Sequence, residues 1–223
     1  SVLAIMVTPF LVLGASFVLL SATATRPAML WMLQENHPVE ILTFALAFFC
    51  SLAALRLAGA LRSHGADAIT CGFYTVFSLG LFVVAMEEIA WGQKLLGFAT
   101  PAWLLPVNMQ GETTLHNLGS LQGKSEWMRL AFAIGGITGV GISRIARFER
   151  ISPPTMLLPW FLLIAAHAVV DAYNDVFPIE ERFDNTMQRT SEVVELIIAG
   201  AALLYVLLNR QRFRFATWPE QET

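Results

Sequence analysis

Apolar residues run through this chain in stretches of about 20, which is the length a helix needs to cross the hydrocarbon of a bilayer. Short polar clusters separate them. Six runs are predicted as spans: 2–20, 38–61, 68–91, 126–148, 154–176 and 186–208. Pro27 opens a brief segment, 28–33, predicted to lie in the membrane interface. Residues 93–125 mix polar and apolar positions without a span-length run. In that connector Thr100-Pro101 reads as a helix start, with Thr as cap and Pro in the first turn. Residues 117–119 read as a helix stop. The predicted fold is all-α: a polytopic transmembrane helical bundle of about six spans. An interfacial helical connector joins spans three and four. The whole of 1–223 forms a single integral membrane domain, with 93–125 as a cap.

Composition agrees with the pattern. The chain is 56% hydrophobic and 14% charged, against roughly 25% charged in soluble domains. A net charge of -3 gives no reason to expect a nucleic-acid partner. Cys50 and Cys71 fall in apolar helices at different depths and are expected as free thiols. The first run lacks a basic flank and a cleavage site, so it reads as a span and not a signal peptide. Ser1, not Met, opens the sequence, which is compatible with further residues upstream, including another span.

Lys and Arg set the expected orientation. Arg56, Arg62, Arg144, Arg147, Arg150, Arg210, Arg212 and Arg214 fall on the side of both termini, and only six basic residues fall on the other. The termini are therefore expected in the cytoplasm of a bacterial inner membrane. Thirteen of the 17 acids then fall outside or in the outer ends of spans. Trp31, Trp91, Trp103 and Trp127 sit at the same level, as an interfacial belt would.

The candidate chemistry lies in that outer third. Span three ends in Glu87 and Glu88. Span five carries His167, Asp171 and Asp175 on one face by their spacing of four. Span six places Glu192 and Glu195 near its start, and span two has His37 and Glu40 at its mouth. Charges facing lipid are expensive, so these groups are expected to point into the bundle and form an outward-opening pocket. Adjacent Glu87 and Glu88 point about 100° apart. Glu88 is assigned to the pocket, with Trp91 continuing its face, and Glu87 to Arg129 or the headgroups. Glu112-x-x-x-His116 and His167-x-x-x-Asp171 each present an oxygen and a nitrogen on one face. Mixed sets of this kind suit zinc, iron or manganese. Glu88, Glu112, His116 and His167 are the candidate ligands of a divalent metal, and Asp171 and Glu192 the candidate catalytic groups. The structural alternative is a hydrogen-bonded polar core that ties the connector down. Glu192 and Glu195 could instead pair with Arg182 and Arg189, and His37 reads as a helix cap. Ala131, Gly135, Gly139 and Ser143 form a stripe of small residues, read as a packing seam or, less simply, as a surface for another membrane subunit.

Glu87-Glu88-x-x-Trp91-Gly92-Gln93 and Gln110-Gly111-Glu112-x-x-x-His116-Asn117 together resemble a pattern in uncharacterised bacterial polytopic membrane proteins. That resemblance implies no activity. A more distant analogy is with the alkaline ceramidase and adiponectin-receptor superfamily, helical membrane hydrolases with a zinc site inside the bundle. This chain lacks their His-x-x-x-His in the last span and shows six predicted spans where they have seven. Three functions are compatible with the sequence. One is a metal-dependent hydrolase acting on a lipid or lipid-linked substrate. Another is a non-enzymatic subunit or assembly factor of a membrane complex that could carry pigment or haem. The third is a proton- or cation-coupled transporter.

Overall fold

A computed structural model describes the chain apart from residues 103, 106–112, 115–123, 178–180 and 217–223. All regular structure among the described residues is helical: α1 (Val2–Ser21), α2 (Arg26–Met32), α3 (Pro38–Ser63), α4 (Ala68–Glu88), α5 (Gln93–Leu96), α6 (Ser125–Gly141), α7 (Leu158–Val176) and α8 (Glu181–Ala216). Five stretches are long and apolar enough to cross a membrane: Val2–Ser21, Pro38–Ser63, Ala68–Glu88, Thr155–Val176 and Asn185–Phe213. The expected fourth span, 126–148, is the exception. Its α-helix has 17 residues and stops at Gly141, which is about 25 Å of rise against a hydrocarbon core of about 30 Å. Gly135, Gly136, Gly139 and Gly141 weaken the helix from within. Beyond it a single 3-10 turn, Ile142–Arg144, leads into irregular chain.

Small residues let α3 and α4 pack as a close antiparallel pair. Ser51 Oγ donates to the Ser78 carbonyl at 2.9 Å and Ser78 Oγ returns the bond to the Ser51 carbonyl at 2.8 Å. Ala47, Ala54 and Ala85 are fully buried nearby. α6 and α7 make a second pair. α8 packs mainly on α3 and also on α7 and α1, so it stands behind both pairs. Among the described residues α4 and α6 share no extensive packed seam. α1 is held at the periphery, where Trp160 Nε1 donates to the Ile5 carbonyl at 2.7 Å.

The packing face of α6 agrees with the predicted stripe of every fourth residue at Gly139 but not at Gly135. A Cβ built on Gly136 would lie 2.4 Å from the buried ring of Phe161, and one on Gly139 would lie 2.8 Å from Pro153. A Cβ on Gly135 would meet nothing within 4 Å. The close approach therefore uses Gly136 and Gly139, while Gly135 faces open space.

At the end of the bundle that holds the 3–4 turn, the irregular chain after α6 is fastened by side chains. Tyr74 Oη donates to the Arg150 carbonyl at 3.0 Å and Tyr205 Oη to the Ile151 carbonyl at 2.7 Å. Asn209 Nδ2 donates to Tyr74 Oη at 2.9 Å and to the Ser152 carbonyl at 3.2 Å. Carbonyls that lack helical partners are thus satisfied without water. Asp67 caps α4 through Thr70 N at 2.9 Å and Thr70 Oγ1 at 2.7 Å. Both cysteines are free, as expected.

Two outcomes follow for stability, read by thermal unfolding in detergent. Gly136→Ala drives a methyl into Phe161 and destabilises by about 1–3 kcal/mol, whereas Gly135→Ala is neutral or stabilising by up to about 1 kcal/mol. The hydroxyl and amide of Thr70 hold the Asp67 carboxyl below its ordinary range. Its capping contribution is therefore full above the ordinary carboxylate pKa of about 4 and is lost as pH falls through the lowered value. Asp67→Ala removes that acid-side loss from the profile of stability against pH.

Candidate functional site

The Glu-Glu-x-x-Trp-Gly-Gln stretch ends α4 and builds one wall of the site. The predicted third span continued to residue 91, but the helix stops at Glu88. Ala90, Trp91 and Gly92 then take left-handed backbone, with φ of 46°, 55° and 80°. Two of the three carry a Cβ, at about 1–2 kcal/mol each. Side chains hold the turn in place. Trp91 Nε1 donates to Glu87 Oε1 at 2.6 Å. Gln93 Nε2 donates to Thr100 Oγ1 at 3.0 Å, and Gln93 Oε1 accepts from the Thr113 amide at 2.6 Å. Glu87 is therefore tied to Trp91 and not to Arg129. Trp91 does not continue the helical face of Glu88, because the helix has already ended. Thr100 Oγ1 accepts from the Gln93 amide, and the chain after it makes a helical turn, with Leu104 N and Leu105 N on the Pro101 carbonyl at 2.8 and 3.3 Å; the rest of the helix predicted to start here lies outside the described residues.

Next to this turn lies a cavity of about 650 Å³ between α3, α4, α6 and α8. Glu35, Glu40, Glu87, Glu88, Glu192 and Glu195 all contribute to its wall, together with one basic residue, Arg129. The topology explains the convergence. The start of α3, the end of α4 and the starts of α6 and α8 lie at the same end of the bundle. Glu40 is engaged with the backbone amide of Asn36 at the entry to α3. Glu88 and Glu192 make no hydrogen bond or ion pair among the described residues. Asn36, Thr43 and Ser125 add polar groups to the wall, and its other described residues are apolar, including Phe77, Leu81, Phe132 and Ile198.

A second cavity of about 440 Å³ continues toward the other end of the bundle. It shares Phe77 and Phe132 with the first and is otherwise lined by Gly135, Gly136, Gly139, Tyr205 and neighbouring apolar groups. The two make one cleft between α4 and α6, backed by α8. One end is rich in carboxylates and the other is apolar.

Arg129 is 4% exposed and joins α6 to α7 by an ion pair, Nη2 to Asp171 Oδ2 at 2.6 Å. The same nitrogen reaches Ser125 Oγ at 3.2 Å, and Ser191 Oγ donates to Asp171 Oδ2 at 3.3 Å. Nε and Nη1 of Arg129 are buried without a partner among the described residues. Asp171, expected as a catalytic group, is thus committed to a buried guanidinium. The sequence reading placed Arg129 opposite Glu87 and missed this pairing. A lone basic residue one turn into an apolar run was the available signal, since such a residue needs an acid at the same depth.

His167 lies between α7 and α8, outside the cavity wall. Its Nε2 is 3.0 Å from Thr190 Oγ1. Thr190 Oγ1 also bonds the Met187 carbonyl at 2.9 Å, where it must donate. The ring therefore donates from Nε2, which leaves Nδ1 a bare acceptor when the ring is neutral. That Nδ1 is buried without a partner among the described residues. Glu88 and Glu192 share the cavity, while His167 does not join them. Glu112 and His116, the other two candidate ligands, lie outside the described residues, as do the expected short helices of the connector. Among the described residues no three His, Cys, Asp or Glu side chains are disposed to hold a metal ion. His37 occupies the N-cap position of α3, but its side chain does not cap; Nδ1 bonds the Glu35 carbonyl at 2.8 Å.

No family model, curated protein or solved structure matches the chain. The helix set defines a multi-pass membrane protein, and what it does is argued from the cleft.

Gln93→Ala removes both bonds that hold Thr100 and Thr113, worth about 1–3 kcal/mol. Limited proteolysis between residues 97 and 124 is expected to quicken about tenfold, as local opening becomes more populated. Melting of the helical bundle is expected to change little.

Proposed function

We propose that this protein binds a lipid or lipid-linked substrate in the cleft between α4 and α6 and hydrolyses it there. One observation carries the reading: a single cleft with carboxylates at one end and an apolar remainder, unsealed along the α4–α6 side. An amphipathic molecule matches that division, with its polar group among the glutamates and its chain beside Gly135 and Phe132. Entry is sideways from the bilayer, toward the outer leaflet if the termini are cytoplasmic.

Glu88 and Glu192 are the catalytic candidates. One carboxylate accepts a proton from water as the water oxygen attacks the ester. The ester bond breaks and the proton passes to the departing alcohol. A divalent ion such as zinc, iron or manganese would supply Lewis-acid chemistry to this step. Holding it requires Glu112 and His116 of the connector to join Glu88. Arg129 and Asp171 position the wall and take no part in proton transfer.

Native mass spectrometry of the purified protein is expected to find a retained lipid. Gly135→Phe, which fills the apolar half, is expected to reduce that occupancy about tenfold. Release of water-soluble product from lipid vesicles is expected to fall by a factor of about 10²–10⁴ in Glu192→Gln. A protein that binds no lipid under any condition overturns the reading. Elemental analysis decides the metal-dependent form: a stoichiometric ion lost in His116→Ala supports it, and absence of any ion removes it.

A second reading is a subunit of a larger membrane complex, favoured by the open space beside Gly135 into which a partner's helix could pack. Under that reading Gly135→Phe strips co-purifying chains and leaves lipid content unchanged.

A further inference from the structure

We infer that the carboxylate end of the cleft recognises a zwitterionic headgroup, a primary ammonium linked to a phosphate, so that the ligand is an amine-bearing phospholipid. The inference rests on the cleft being a lipid site and adds what the headgroup must be.

Arg129 is 4% exposed, stands in the cavity wall and spends only Nη2 on Asp171 and Ser125. Nε and Nη1 remain buried N–H donors without an acceptor among the described residues. A guanidinium does not lose its proton in a protein, so it cannot escape that deficit by neutralising. An acceptor has to come from outside the described side chains, and a phosphate oxygen suits a guanidinium well.

An anion alone is a poor guest for this cavity. Asp171 already balances Arg129, while Glu88 and Glu192 sit in the same wall beside four further glutamates. A simple anionic lipid would bring its charge against theirs. A ligand that carries its own cation next to the phosphate answers both conditions at once. The ammonium lies against Glu88 and Glu192, and the phosphate accepts from Arg129.

The cation should also be an N–H donor. Quaternary ammonium groups are held by the faces of aromatic rings. Among the described residues of this cavity the aromatic ones are Phe77 and Phe132, which belong to the apolar junction with the second cavity. What faces the headgroup is carboxylate, an acceptor for the hydrogens of a primary ammonium. The lower apolar cavity then takes an acyl chain, beside Gly135 where a side chain would meet nothing.

The test compares nanodiscs or vesicles of phosphatidylethanolamine, phosphatidylcholine and phosphatidylglycerol, with binding read by native mass spectrometry on the full chain. Wild-type protein is expected to bind the ethanolamine lipid at least tenfold more tightly than either of the others. Glu88→Gln together with Glu192→Gln is expected to abolish the preference over phosphatidylglycerol while leaving the acyl chain bound. Arg129→Lys keeps a charge for Asp171 but loses the second and third guanidinium nitrogens. It is expected to bring the ethanolamine lipid down to the level of oleylamine, which has the ammonium and no phosphate. Equal binding of all three lipids by the wild type, or a preference for phosphatidylglycerol or phosphatidylcholine, overturns the inference and leaves the cleft reading standing. Oleylamine binding as tightly as the ethanolamine lipid in the wild type removes the phosphate from the proposal and so overturns it too. No binding of any lipid overturns the cleft reading itself. If Arg129→Lys fails to fold, the paired glutamine variant decides alone.

Discussion

Two charges buried at the level of the membrane decide how this bundle is arranged. Arg129 on α6 and Asp171 on α7 meet at 2.6 Å with almost no exposure. Neither can be left alone: stripping the partner from a buried ion costs about 3–5 kcal/mol. The pair therefore commits α6 to α7. The glycine contacts at Gly136 and Gly139 lie on that same side of α6, against Phe161 and Pro153. With both polar and steric complementarity directed at α7, nothing remains on α6 to grip α4, which is itself engaged with α3 through the Ser51–Ser78 exchange. The cleft is the gap that these two independent pairings leave, and α8 keeps it from passing through the bundle.

The resulting site divides labour among neighbouring residues of one short motif. Glu87 and Glu88 are chemically identical and both line the cavity, yet Glu87 accepts from the indole of Trp91 and Glu88 does not. The left-handed run at Ala90, Trp91 and Gly92 makes this division possible by folding the chain back within three residues. Strain in such a run persists only where surrounding contacts over-determine it, and here the Trp91–Glu87 bond and the Gln93 carboxamide supply them. Gln93 then reaches both Thr100 and Thr113, so the connector is referenced to the end of α4 at two points.

Much of this was legible from the sequence. Run length gave the membrane class and the approximate limits of α1, α3, α4, α7 and α8. Antiparallel order placed Glu40, Glu88, Glu192 and Glu195 at one end, and the cost of charge in oil turned them inward. Other features were not legible, for identifiable reasons. Hydropathy averages over a window and does not register that four glycines and a following proline pair shorten α6. Helical periodicity assumed that α4 ran on through Trp91, so it could not show that Glu87 would be claimed by an indole. Spacing of four on α7 put His167 and Asp171 on one face. Rotational position about α7 sent them to different neighbours, Thr190 and Arg129, and that depends on packing which no single-helix pattern contains. The small-residue stripe located Gly139 in the seam but named Gly135 where Gly136 makes the contact, because the two glycines are indistinguishable in composition.

The side-chain fastening at the opposite end of the bundle bears on how the chain is made. The carbonyls of Arg150, Ile151 and Ser152 are satisfied by Tyr74 from α4 and by Tyr205 and Asn209 from α8. During synthesis the first of these donors emerges long before the loop, and the other two long after it. Until α8 has been inserted, the loop has only a third of its donors. Insertion of α8 is therefore a locking event for this loop, in which a late helix completes a connection begun by α4.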